Sequence, residues 1–356
     1  MAQTDMKSFL RSQWTPIVLI GALAIVTAIV SLVAGLAVQT FWTEILIRII
    51  LVTGFYIFIG NSGIFAFGHA AFACIGGYVA AWLSMDMMFK QIMLSGLPVW
   101  VQNTQLMPWI AALAGFLVSG VIAGIIGAVI VRLSDIAASI ATFAFLLVVN
   151  RIFSNWDSVT GGVAPLTNIP QLGGSWMNFL FMAGALLIAW VFQNSRIGLM
   201  LRASRDDEVA ALASGISVYR MRLTAFAISG AVMGCGGAIY SFFLGILTVD
   251  VFYMSLTFLL LVMLVVGGAG SLTGVVVGVV LVSCVSEVLR MAEEGVALGG
   301  HQIALPLGMQ QIVLGIFMIF VLINRADGLT GGRELKWPGR ARKSGAAALE
   351  RTEQPS

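Results

Sequence analysis

Apolar residues in this chain fall in long, unbroken blocks instead of alternating or recurring every third and fourth position. Ten blocks lie near the ~20 residues that a helix needs to cross a bilayer. They are residues 17–38, 42–60, 64–84, 109–131, 136–153, 177–193, 223–246, 251–267, 272–290 and 307–324. A helix that is apolar all round must be surrounded by lipid or by other such helices. The pattern therefore predicts an all-α integral membrane protein of about ten transmembrane helices. The third, sixth, eighth and tenth blocks are short or glycine-rich, and are expected to be broken or re-entrant. The first block is longer than the roughly 7–15 apolar residues of a signal peptide, so it reads as a retained helix.

Composition agrees. Of 356 residues, 59% are hydrophobic and 10% charged, whereas a soluble domain carries about 25% charged residues. Mean hydropathy is +1.00. Cys74, Cys235 and Cys284 lie inside apolar blocks without Cys-x-x-Cys spacing and read as small buried hydrophobes. Two histidines, His69 and His301, are too few for a histidine-built metal site. No metal is expected.

Charge placement orients the chain. Lys and Arg collect in short loops on the cytoplasmic side. With the N-terminus inside, 15 of the 19 basic residues fall on that side, among them Lys7, Arg11, Arg132, Arg196, Arg202, Arg205, Arg220, Arg222 and Arg325. Lys90 alone falls clearly in an outer loop, and Arg48, Arg151 and Arg290 lie in or at the ends of blocks. An even number of spans keeps both termini cytoplasmic. Residues 1–16 then form a cytoplasmic segment, 17–324 the transmembrane domain, and 325–356 a cytoplasmic tail, Gly-, Arg- and Ser-rich and expected to be disordered. Tryptophans in the outer loops 85–108 and 154–176 suit the headgroup level.

One inner loop, residues 195–222, carries more than charge. In "RDDEVAALASGISVYRMR" (205–222), Ser204 is the expected N-cap, with Asp207 three residues on to complete a capping box. Asp206, Asp207 and Glu208 lie where the helix dipole favours acid, and Gly215 is placed to close the helix in a left-handed turn. Val209, Leu212, Ala213 and Ile216 share one face. The expected element is a short amphipathic helix lying flat on the inner surface, whose acidic end, apolar face and flanking arginines suit docking by a cytoplasmic protein. The plainer alternative is a solvated loop whose arginines only set orientation.

The stretch "SRIGLMLRASRDDEVAALASGISVYRMRLTAFAISGAVMGCGGAIY" (195–240) resembles the LivM-type permease subunits of branched-chain amino acid ABC importers. So do "GHAAFACIGGY" (68–78), "NWDSVTGG" (155–162), "GGAGSLTG" (267–274) and "SEVLR" (286–290). The similarity runs from about residue 45 to 325, in the family's order and spacing. It implies a multi-pass protein of the bacterial inner membrane that forms a translocation path. It also implies a coupling helix gripped by an ATPase, here Ser204 to Gly215 with Asp207, Glu208, Val209, Ala210, Ala211 and Leu212. Many importer permeases show Glu-Ala-Ala and a later glycine in this helix. Val209, Ala210, Ala211 and Gly215 resemble that pattern, with the acid one residue early at Glu208 and no Ile-x-Leu-Pro following. The implied partners are a second related permease, two cytoplasmic ATPase subunits, a periplasmic substrate-binding protein and membrane lipid. No nucleic-acid partner is implied.

The chain has no G-x-x-x-x-G-K-[ST] phosphate loop, so no cofactor is expected on it and ATP belongs to the ATPase partners. No enzymatic activity of its own is expected. Asn61, Ser62, His69, Thr160 and Gly161 are the translocation-path candidates, because polar groups inside a membrane tend to face a cavity. For His69 the packed-core alternative stands beside that reading. The glycine-rich stretches 60–77 and 267–278 fit either discontinuous helices near a substrate path or close helix packing. Glu44 and Arg48 sit one turn apart and can pair. Two rivals remain. A serine protease built on Gly60-Asn61-Ser62-Gly63 lacks a base from a neighbouring element. A secondary transporter or channel explains the spans but not the capped inner helix. Within the importer reading, urea, amides and aromatic amino acids are alternative cargoes.

Overall fold

The computed structural model describes residues 14–172, 174–294, 296–298, 301–303, 306, 308–325, 327–332 and 334. Every apolar block carries a helix. The series runs α1 (Trp14–Val33), α2 (Leu36–Phe55, continued by a π turn Tyr56–Gly60), α3 (Ala70–Ser84), α4 (Met87–Met93), α5 (Pro108–Ile130), α6 (Asp135–Ser154) and α7 (Gly174–Asn194). It continues with α8 (Arg196–Asp206), α9 (Glu208–Ala213), α10 (Val218–Leu244), α11 (Met254–Gly267), α12 (Leu272–Glu294) and α13 (Met309–Asn324). A small antiparallel hairpin pairs β1 (Val296–Leu298) with β2 (His301–Ile303).

Eight helices among the described residues are long and apolar enough to cross a membrane, or nine if α3 and α4, bent by 120°, count as one span. With the shorter apolar helix α13, this agrees with the expectation of about ten spans, some of them broken or re-entrant. The sixth block is a continuous helix of 21 residues, while the tenth, α13, has only 16. The eighth is broken, a 3₁₀ turn at Val249–Phe252 preceding α11. The third starts late. Residues 63–69 are loop and turn, with Gly63 at φ +77°, and α3 begins only at Ala70. Ile64, Phe65, Ala66 and Phe67 keep the sequence apolar through a segment that is not helical.

α2 and α10 form the buried centre, and α1, α5 and α6 lie at the periphery. α10 packs against α2, α3 and α5, and α11 against α12. Glycine makes the tightest contact. A Cβ at Gly76 would lie 2.1 Å from the Gly234 carbonyl oxygen, and one at Gly237 would lie 1.9 Å from that of Ala73. Ser119 of α5 completes the junction, donating to the Phe72 carbonyl (3.1 Å). Small residues bring backbones together where lipid offers no hydrophobic drive. Both readings of the glycine-rich stretches therefore hold, at different residues: Gly63 and Gly268 (φ +109°) mark breaks, while Gly76 and Gly278 are close-packing sites. Cys74 and Cys235 are buried as expected, but Cys284 is exposed on α12. The Glu44–Arg48 pair forms, and Arg48 also donates to Ser283 of α12 (3.1 Å).

Loops alternate between two ends. At one end Gly96 bonds Ser158 (2.8 Å), Leu166 bridges Leu247, and Lys90 donates to the carbonyls of Trp82, Val101 and Thr104. Lys90 lies on this outer cap beyond the bend after α3, and burial pushes its ammonium below the usual lysine range while Asp86 pulls it back up. At the other end gather residues 60–69, 131–134, 195–217, 268–271, 325, 327–332 and 334. Most of the described basic residues lie at this end, the one expected to face the cytoplasm. Residues 1–13 and 335–356 lie outside those described. The tail expected to be disordered from 325 is packed over its first residues: Leu329 bonds Val266 (2.9 Å), and Glu334 accepts from Leu272 N (2.7 Å), Thr273 N (3.2 Å) and Thr273 Oγ1 (2.9 Å). Glu334 thereby supplies acceptors for unpaired amides at the start of α12.

Candidate functional site: a clamped helix on the inner face

The 195–217 segment is two helices, not one. Ser195 caps the first, α8, its Oγ accepting from Gly198 N (3.2 Å). Gly198, Leu201 and Ser204 turn inward at a helical spacing. Ser204 is thus inside α8, donating to the Leu201 carbonyl (2.7 Å), and is not the N-cap expected from sequence. That role belongs to Asp207, whose extended backbone (φ −152°, ψ 105°) ends α8 and whose Oδ1 accepts from Ala210 N (2.9 Å) to start α9.

Gly215 ends α9 as expected. At φ +78° it donates to the Leu212 carbonyl (3.0 Å), and Ile216 donates to that of Ala211 (3.1 Å). This pair of bonds is the Schellman closure that favours glycine. Between these caps Ala211 is buried, while Val209 is 78% exposed and Leu212 56%. The apolar face therefore exists but points outward.

Charged and polar side chains fasten the two helices to the bundle. Arg205 Nη1 donates to the Gly60 carbonyl at the end of the π turn (2.8 Å), and Arg202 donates to that of Gln193. The Gln193 side chain in turn accepts from Tyr56 and donates to Glu334 (3.2 Å). Arg222, in the first turns of α10, meets Glu208 of α9 at 3.0 Å and Asp135 of α6 at 3.4 Å. Beside this pair of contacts lies a groove of about 940 Å³ between the 131–136 turn, α9 and the base of α10. There the Arg132 guanidinium sits 5.2 Å from the Tyr219 ring centroid.

The translocation-path candidates divide between the ends. Asn61, Ser62 and His69 are inner and Thr160 and Gly161 outer, so no single site unites them. His69 is wholly buried and ringed by Phe55, Phe58, Phe72 and Phe226 at centroid distances of 4.9–5.8 Å. This is the packing that the core alternative describes. Ser62 Oγ donates to the Phe58 carbonyl (2.8 Å) and accepts from Ile64 N (3.2 Å), an arrangement that structures the break and offers no base. Asn61 Nδ2 donates to the Ile57 carbonyl (3.0 Å), but its Oδ1 is buried without a partner. Thr160 Oγ1 donates to the Trp156 carbonyl (2.8 Å), and Gly161 adopts φ +77° to end that turn.

The family described as "Branched-chain amino acid transport system / permease component" matches residues 37–322. The chain belongs to this family. It is 26% identical over 321 residues to the high-affinity branched-chain amino acid transport system permease protein LivM of Salmonella typhimurium, covering 81% of this chain and 68% of the relative. The LivM protein of Escherichia coli matches with the same identity and coverage. A shorter match, 34% over 99 residues and 26% of this chain, is to the nucleoside ABC transporter permease protein NupC of Lactococcus lactis, covering 30% of that relative. No solved structure matches. The chain is thus a multi-pass permease component of an ABC transporter, a class that works with other ABC components.

Two groups escaped the sequence reading. Arg222 counted there only toward orientation, and its spacing from Glu208 is no local helical pair. Tyr56, Gln193 and Glu334 are joined across 137 and 141 positions of sequence, which no local pattern signals.

Proposed function

We propose that this chain forms part of the translocation path of an ATP-driven, binding-protein-dependent importer in a bacterial inner membrane, and that α9 is its coupling helix. The observation that carries the reading is α9 itself. It is closed by a cap at each end, anchored inward by Ala211, and turns Val209 and Leu212 outward on the face that carries the arginines. An apolar pair held out on a rigid, charged surface suits a protein partner. That partner is an ATPase subunit, since the chain has no phosphate loop. The assembly comprises this chain, a second related permease, two ATPase subunits and a periplasmic substrate-binding protein.

Branched-chain or other amino acids are the proposed cargo, because the matches spanning most of the chain are to permeases named for them. Other, shorter matches are named for nucleosides and autoinducer 2, and cargo choice falls to the binding protein. The test is reconstitution. Proteoliposomes holding the whole assembly should take up labelled leucine only with ATP inside and binding protein outside. Uptake by this chain alone on an ion gradient would make it a secondary transporter and end the proposal.

A further inference from the structure

The coupling reading leaves a mechanical question, and the inner face offers an answer to it. A helix of six residues has almost no stability of its own, since nucleation is costly and isolated helices below ~12 residues are marginal. A force applied to α9 reaches the membrane only through what ties it down. The chain connections at Asp207 and Gly215–Ser217 are turns. Ala211 gives one apolar contact. Among the described residues, the ion pair that joins α9 to a spanning helix is Glu208 to Arg222.

Arg222 is the sheltered member of this cluster. Its side chain is 9% exposed, against 47% for Glu208 and 62% for Asp135, and one nitrogen, Nη2, faces both carboxylates. The three residues come from three elements: α9, α10 and the first turn of α6. Asp135 is also well placed for the dipole at the start of α6.

We propose that Arg222 is a positioning residue for coupling, a clamp that makes α9, α10 and the start of α6 move as one body when the ATPase pushes on α9. The proposal rests on the coupling reading of α9. α10 is a suitable receiver, because its contacts with α3 and α5 are backbone on backbone at Gly234 and Gly237 and leave no slack to absorb a displacement. Covering the groove beside Arg222 with a partner would further exclude water and strengthen both ion pairs.

The clamp predicts an asymmetry. Removing Glu208 or Asp135 leaves the guanidinium one partner. Removing Arg222 takes from both carboxylates the one cation they share. The test uses the whole assembly in proteoliposomes, reading cargo moved per ATP hydrolysed. Arg222→Met should lower this ratio about ten-fold, Glu208→Gln and Asp135→Asn each less. The double variant Arg222→Met/Glu208→Gln should be no worse than Arg222→Met alone, since the interaction can be lost only once. Arg222→Lys, which keeps charge but not the planar fork, should fall between, and it decides the matter if Arg222→Met fails to assemble. An unchanged ratio in Arg222→Met, or in Arg222→Lys where that variant decides, overturns the clamp, as do additive costs in the double variant. Disulfide crosslinking of Val209→Cys to the ATPase is read separately: its absence sinks the coupling reading, whereas crosslinking with an unchanged ratio sinks only the clamp.

Discussion

The glycine junction between α3 and α10 allows a sharp test, because the same substitution should have opposite effects at two glycines. An alanine at Gly237 would put its Cβ 1.9 Å from the Ala73 carbonyl oxygen. A carbon–oxygen contact is comfortable at ~3.3 Å or more, so the helices would have to separate by over 1 Å. The obstructing atom is backbone, which cannot swing aside, so the cost should reach the upper end of the overpacking range, about 3 kcal/mol. At Gly184, on α7, an added Cβ meets nothing within 4 Å. Alanine there removes backbone freedom from the unfolded chain and should stabilise by ~0.5–1 kcal/mol. At 2–4 °C per kcal/mol for chains of ~150–250 residues, Gly237→Ala should lower the midpoint by roughly 6–12 °C. Gly184→Ala should hold it or raise it slightly. Membrane proteins commonly unfold irreversibly, so the assay is the monodisperse fraction left after a fixed heating time in detergent. Equal midpoints for the two variants would refute the close-packed junction.

Further outcomes follow from the ends of the bundle. Ala211→Pro removes the backbone donor to Asp207 and should uncouple ATP hydrolysis from uptake while leaving membrane insertion intact, read as cargo per ATP against yield of the assembled complex. Gly215→Val forces a β-branched residue to φ +78°, a cost of ~1–3 kcal/mol that should do the same through the other end of α9. Lys90→Met removes three carbonyl contacts on the outer cap and should expose residues 85–104 to added protease, with the inner face unchanged. Glu334→Ala leaves the first amides of α12 without this acceptor and releases Gln193 Nε2, while Gln193 Oε1 still accepts from Tyr56. Hydrogen exchange at Leu272 and Thr273 should quicken at least ten-fold for a loss of ~1.4 kcal/mol.

The membrane-embedded helices were legible because lipid imposes one rule, that a spanning segment be apolar and satisfy its own backbone. All ten blocks carry helices for that reason. Their breaks were not legible, because the rule says nothing about an apolar segment shielded by protein. Ile64 and Ala66 are buried in such a segment, although Phe65 between them is exposed: hydropathy continues, while the Ser62 hydroxyl, taking up Ile64 N, supplies the hydrogen bond that helix would have made. The glycines hinted at both breaks and close contacts without saying which was which. That choice depends on the neighbour across the interface, the Gly234 backbone for Gly76 but the Arg205 side chain for Gly63.

The inner helix shows the same division at finer grain. Gly215 was readable because a left-handed closure needs only local bonds. Ser204 misled because a serine followed three residues on by an acid satisfies the capping pattern without knowing where the preceding helix begins. Ser195 had already started that helix, and once α8 is running, Ser204 falls on its buried face and Asp207 becomes the first residue free to cap another. What sequence could least supply is pairing between distant charges. In a chain with 10% charged residues, a carboxylate near an arginine has few alternative partners, and each pair that forms fixes one element against another at low risk of exchange. Arg48 with Glu44 and Ser283, Arg222 with Glu208 and Asp135, and Glu334 with α12 and Gln193 each join two or three elements in this way. Scarcity of charge therefore concentrates the mechanical connections of the molecule in a few side chains, most of them on the face where a cytoplasmic partner would act.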